Sequence, residues 1–163
     1  MKIKQYVNQK NQIKNGESYC GAAVIAMITG KEPQFVADMI GSTADDTKLE
    51  NYLAVRGFKL KIIIDGGTQE SNWAFSPTQD SFEIMRKVLD SGELILYHWA
   101  GWDGRSKGHY SVMTGYDDVN SFIFCDPAGS RIEGYFNNHG ENIVYPVSML
   151  AKAGIKRLWS IGE

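Results

Sequence analysis

Along the chain, apolar positions change their spacing four times, and each change predicts a change of element. The first nine residues alternate weakly, Ile3, Gln5 and Val7 against Lys4, Tyr6 and Asn8, which predicts a short edge strand. The polar stretch Lys10 to Ser18 then reads as a loop. From Tyr19 to Thr29 the run YCGAAVIAMIT is apolar on nearly every side. It predicts a buried helix, with Ser18 as N-cap and Gly30 closing it. Two further helices are expected over 32–40, with Pro33 at its first position, and over 44–56, each ending at a glycine, Gly41 and Gly57.

Phe58, Leu60, Ile62 and Ile64 then alternate with Lys59, Lys61 and Ile63, the period of a half-buried strand. The stretch Asp65 to Gln79 is polar and rich in Gly and Ser, and a loop of that length reads as a substrate-facing flap. Capping-box spacing in Ser76-Pro77-Thr78-Gln79, with Pro77 at the first helical position, precedes the stripe Phe82, Met85, Val88, Leu89, which predicts an amphipathic helix. Strands are expected over Leu94 to Trp99, His109 to Tyr116, Ser121 to Cys125, Asn142 to Val147 and Arg157 to Ile161. The second and third, joined by Asp117-Asp118-Val119-Asn120, read as an antiparallel hairpin. Helices first and sheet second, without regular βαβ alternation, is the order of an α+β domain.

Composition narrows the function classes. The 163 residues fit one domain, and 43% hydrophobic residues are enough for a core. Seventeen basic against nineteen acidic residues leave a net charge of −2 without like-charged blocks, so neither nucleic acid nor an anionic membrane is an expected partner. The N-terminal MKIKQYVNQKNQ has no apolar core of a signal peptide and no run is long enough to span a bilayer, which favours a cytoplasmic location. Two cysteines, Cys20 and Cys125, are too few for a disulfide scaffold and lack zinc-site pairing, so no cofactor is expected.

The candidate chemistry begins at Cys20. In the first turn of a buried helix its sulfur would lie near uncommitted N–H groups and the positive end of the dipole, both of which favour thiolate. Gly21, Ala22 and Ala23 leave room beside it. His109 opens the strand HYSVMTGY, where an imidazole can take a thiol proton and return it to a leaving group. Asp126 follows the next strand, and the hairpin would bring its carboxylate alongside His109 to orient the ring. Each has an ordinary structural use as well: a small buried thiol, a packed strand-end histidine, an Asp-Pro turn. Glu17 and Asp118 would oppose thiolate formation if close.

Three segments together resemble the bacteriocin-leader (double-glycine) peptidase-like branch of the papain-like cysteine peptidases. YVNQ followed after ten residues by CGAAVIAMI is similar to that family's glutamine, loop and Cys-initiated helix. GHYSVMTGYDDVNSFIFCDPAG is similar to its His strand, turn and Asp-Pro strand, and SFEIMRKVLDSG before ELILYHW to its lead-in. The likeness runs from Lys4 to about Gly129, with Ala22 where many members carry Pro. It implies a papain-like α+β fold, a peptide or protein substrate, and a glutamine amide that joins the Cys20 N–H around the oxyanion. That role falls to Gln9, with Gln12 as competitor. An acyltransferase using the same residues, and an idle peptide-binding or structural module, are the alternatives.

Other polar residues read as structural: His98 as a packed strand residue, His139 as solvated, and Cys125 as a buried thiol facing away from Asp126. Trp73, Trp99 and Trp102 are candidates for a substrate groove.

Overall fold

A sheet with apolar residues on both faces needs a covering layer on each side, and the strand Leu94–Trp99 (β2), buried at every position, shows that this chain supplies both. The computed structural model describes residues 1–66, 76–100 and 108–163. In chain order it has helices Gln9–Gln12 (α1), Cys20–Thr29 (α2), Pro33–Ile40 (α3) and Asp46–Val55 (α4), then strand Lys59–Asp65 (β1) and helix Gln79–Asp90 (α5). After β2 come His109–Asp118 (β3), Ser121–Cys125 (β4), Ile143–Pro146 (β5), helix Val147–Ala153 (α6) and Ile155–Gly162 (β6).

The strands form one six-stranded antiparallel sheet in the order β1-β6-β2-β3-β4-β5. Alternation along each strand sorts its side chains between two cores. Leu94, Leu96, Val112, Trp159 and Ile161 pack with α2, α3 and α4. Ile95, Tyr97, Trp99, Phe122, Phe124 and Leu158 face the other way, against Phe82 and Met85 of α5 and Leu150 of α6. Within the first of these cores helix α2 is deeply sequestered: every residue from Gly21 to Ile28 is buried. This matches the α+β papain-like expectation.

Several local readings need correction. Residues 1–8 form no strand. They run extended along the end of α2 instead, with the Lys4 N–H on Met27 O (2.7 Å) and the Gln5 amide on Ala26 O and Lys31 O. Alternating burial reflected packing against a helix end, where no sheet edge is available. Ser18 does not cap α2, because a single 3-10 turn, Gly16–Ser18, intervenes and leaves Tyr19 as N-cap. Helix α5 is capped by Thr78, through a capping box with Ser81, so Pro77 lies before the cap and not at the first helical position. Helix α6 and the start of β6 at Ile155 went unread, since only Leu150 of α6 is buried and the helix has little apolar stripe. The hairpin of β3 and β4 has the expected turn, tied by Asp118 to Asn120 N–H and the Ser121 hydroxyl.

Ile25 is completely buried on α2, whereas Met39 on α3 is 59% exposed. Ile25→Ala is therefore expected to lower unfolding free energy by about 2–5 kcal/mol and Met39→Ala by less than about 0.5 kcal/mol. Chemical denaturation measures both, and similar losses would contradict the placement of α2.

Candidate functional site

The N-terminus of α2 and the start of β3 meet at one point. Tyr19, the N-cap of α2, makes no side-chain capping bond, so the first-turn N–H groups are not taken by a cap. Cys20, the first residue of that turn, is half-buried, and its thiol is hydrogen-bonded to the His109 side chain and to the Tyr110 main-chain N–H. Strand β4 begins its pairing with β3 only at Val112, opposite Cys125, so the ladder between these two strands stops short of His109 and Tyr110.

His109 is buried, and its Nε2 lies 2.8 Å from Asp126 Oδ1. With that nitrogen committed, Nδ1 is the one that faces the thiol. Asp126 is fully buried and well partnered. Its Oδ1 also accepts the Ala128 N–H (3.0 Å), and its Oδ2 accepts the Tyr145 hydroxyl (2.8 Å). Burial and the neighbouring carboxylate push the Tyr145 hydroxyl far above its ordinary pKa, so it remains a donor. Asp126 also starts a turn, with the Gly129 N–H on its carbonyl at 3.1 Å. The turn-forming and His-facing readings of Asp-Pro therefore hold together: the Asx geometry that bends the chain aims the carboxylate at the ring. Tyr145 escaped the sequence reading, since it comes from β5 and nothing local marks it.

The electrostatics favour an ion pair. Burial works against the Cys20 thiolate, and Asp126 opposes it more weakly, yet the bonds and charge from His109 and the Tyr110 N–H outweigh them and hold the thiol below its ordinary value. Burial likewise works against the imidazolium, but Asp126 and the Cys20 sulfur raise His109 from 6.5 to about 10. Cys125 differs: burial pushes its thiol up to about 11. It packs on the helix side of the sheet, away from the Asp126 carboxylate. Glu17 is exposed and near Lys10, and Asp118 serves the hairpin turn, so Asp126 is the carboxylate that bears on the sulfur.

The two glutamines separate. Gln9 is 1% exposed; its Nε2 donates to Gly16 O (2.8 Å) and Glu17 O (3.0 Å), and its Oε1 has no partner. Gly16 permits this, since a Cβ there would lie 1.7 Å from Gln9 O. Gln12 is exposed, and its Oε1 accepts the Asn8 N–H at 2.7 Å. Trp99 is a core residue and not a groove lining: it is fully buried, its Nε1–H bonded to Ser111 Oγ at 2.6 Å. Trp73, Trp102 and most of the expected flap lie outside the described residues. His98 is buried and packed, as expected of it, and His139 is exposed beside Glu133. No group of three metal-ligating side chains occurs among the described residues, and no helix there is long and apolar enough to cross a membrane.

A sequence model of the Peptidase C39-like family matches residues 4–146. No curated protein matches the chain. Among solved structures, the fold is similar to that of a double glycine motif protease from an AMS/PCAT transporter, crystallised in complex with the leader peptide. The likeness has a TM-score of 0.59 at 13% identity and covers 99% of this chain and 97% of that one.

The contrast between the two thiols is directly measurable. Iodoacetamide at neutral pH is expected to modify Cys20 well before Cys125, and His109→Ala to slow the reaction of Cys20 by at least about tenfold. Peptide mapping by mass spectrometry reads both; equal, slow labelling of the two cysteines would contradict the polarised pair.

Proposed function

The chain belongs to the Peptidase C39-like family, and on that premise we propose that it is a cysteine peptidase in which Cys20 is the nucleophile, His109 the general acid and base, and Asp126 the group that orients His109. The observation that carries this reading is the thiol hydrogen-bonded to an imidazole whose other nitrogen is held by a buried carboxylate. A buried carboxylate supplied only for packing would be costly, whereas one that stabilises a neighbouring imidazolium has a use. The leader peptide bound to the similar protease supports a peptide as substrate here.

The chemistry then follows in two halves. The thiol proton passes to His109 Nδ1, and the sulfur attacks a peptide carbonyl, forming a C–S bond and an oxyanion. The imidazolium gives its proton to the leaving nitrogen as the C–N bond breaks, which leaves an acyl-enzyme and a free amine. Water, deprotonated by His109, adds to the acyl carbon; the C–S bond breaks and the thiol is restored. The Cys20 N–H, at a helix start with no side-chain cap, is one donor to the oxyanion.

We assign the second donor to Gln9 in preference to Gln12, because Gln9 is buried and tied to the loop that leads into Cys20, while Gln12 is spent on Asn8 at the surface. Both Gln9 N–H groups are bonded to carbonyls in the free protein, so serving the oxyanion requires one of them to exchange partner. Incubation with a mixture of peptides, read by mass spectrometry, tests the reading: hydrolysed products from the parent protein and none from Cys20→Ala support it. Gln9→Ala is expected to lower kcat by about 10²–10³ and Gln12→Ala to change it by less than about threefold. The opposite ranking would reassign the donor.

His109, raised to about 10, stays protonated and stabilising until the pH climbs through that value. Cys20, lowered from 9.0, stays ionised until the pH falls through its depressed value. The pair is charged between those limits, so kcat/KM should rise on an acid limb below pH 9.0 and fall on an alkaline limb near pH 10. A profile that only begins to rise at 9.0 would contradict the ion pair.

A further inference from the structure

A second histidine and carboxylate lie one strand away from His109. His98 on β2 stands opposite Tyr110 on β3, and their rings are stacked with centroids 4.2 Å apart. His98 Nδ1 is 2.8 Å from Asp46 Oδ1. The Tyr110 hydroxyl donates to the same oxygen, and the Arg157 guanidinium lies 3.8 Å from Oδ2. Asp46, His98 and Tyr110 are all buried. Burial works against the Asp46 carboxylate, but His98, Tyr110 and Arg157 hold it below its usual range. The chain preceding His109 also fits closely here: a Cβ on Gly108 would come within 2.3 Å of His98 Nε2. For packing alone, apolar side chains of similar volume would serve as well as this buried polar cluster.

Its position gives it a use. Tyr110 is the residue whose main-chain N–H donates to the Cys20 sulfur. Because β4 pairs with β3 only from Val112 onward, residues 109–111 are laddered to β2 alone. One ladder fixes a strand end less firmly than two, so the Tyr110 side chain, stacked on one side and bonded at its tip, restrains the backbone that carries the donor. Asp46 opens α4, and the loop before it contacts residues on either side of Cys20 in the chain. The Thr43 N–H donates to Ser18 O at 2.8 Å, and Ala44 packs against Gly21. Thr43 holds a left-handed φ of 49°, which a β-branched residue adopts only under constraint.

We infer that Asp46 is a positioning residue for the Cys20–His109 pair: through the Tyr110 hydroxyl it fixes the Tyr110 main-chain N–H against the sulfur. This deepens the peptidase reading and rests on it. The groups that bear on the sulfur are His109, the Tyr110 N–H and Asp126, and only the second is addressed by Asp46.

The test compares the pH profile of Cys20 alkylation by iodoacetamide in the parent protein, Tyr110→Phe and Asp46→Asn, with thermal unfolding recorded alongside. Tyr110→Phe keeps the ring and the ladder and removes only the hydroxyl, so it decides the matter by itself if Asp46→Asn does not fold. The profile midpoint is expected to move up by about half to one pH unit, a three- to tenfold loss of reactivity at neutral pH, on the scale of about one hydrogen bond. A purely structural role would lower the unfolding temperature and leave the midpoint in place, and that result overturns the inference. A parent protein whose Cys20 titrates at 9.0 would instead overturn the peptidase reading itself.

Discussion

The contact between the Cys20 sulfur and the His109 imidazole is where the helical part of the architecture meets the sheet. Neither group would be charged in an apolar interior alone, since burial raises a thiol and lowers an imidazole. Together they exchange that penalty for mutual attraction, with Asp126 behind the ring and the Tyr110 N–H against the sulfur. The fold supplies the necessary rigidity from two directions. A helix buried from Gly21 to Ile28 carries the sulfur at its start, and a sheet packed on both faces carries the imidazole.

The carboxylates are held with the same economy. Asp126 directly follows β4, and it is at once the first residue of a turn and the acceptor for His109, Ala128 N–H and Tyr145. Such multiple restraint suits a group that must keep one orientation while a neighbour changes protonation state. Likeness to a double glycine motif protease at 13% identity shows that this arrangement of helices and sheet tolerates extensive change in sequence.

Much of this was legible in the sequence where a signal was local and periodic. The apolar run around Ile25, the stripe on Phe82 and Met85, and the alternation of the sheet strands each mark the burial they meet in the fold. Cys20, His109 and Asp126 were readable as candidates because helix start, strand start and Asp-Pro turn are sequence features, and the structure brings the three together. What stayed hidden depends on partners far along the chain. Ile3 and Val7 alternate as a strand would, but the segment binds the end of α2. Ser18 looks like a cap until the 3-10 turn displaces it. The pairing of His98 with Asp46, and of Tyr145 with Asp126, joins residues whose neighbourhoods carry no mark of the contact.

The most direct measurement of the central claim is the titration of the His109 imidazole by NMR, on protein labelled with ¹⁵N at histidine, in the parent chain and in Cys20→Ser. The expected result is an imidazolium that persists through neutral pH and begins to deprotonate only as the pH nears 10, with a clear fall in that value once the sulfur is replaced. A ring that titrates near 6.5 in both proteins would show that thiol and imidazole are not a charged pair, and would contradict it.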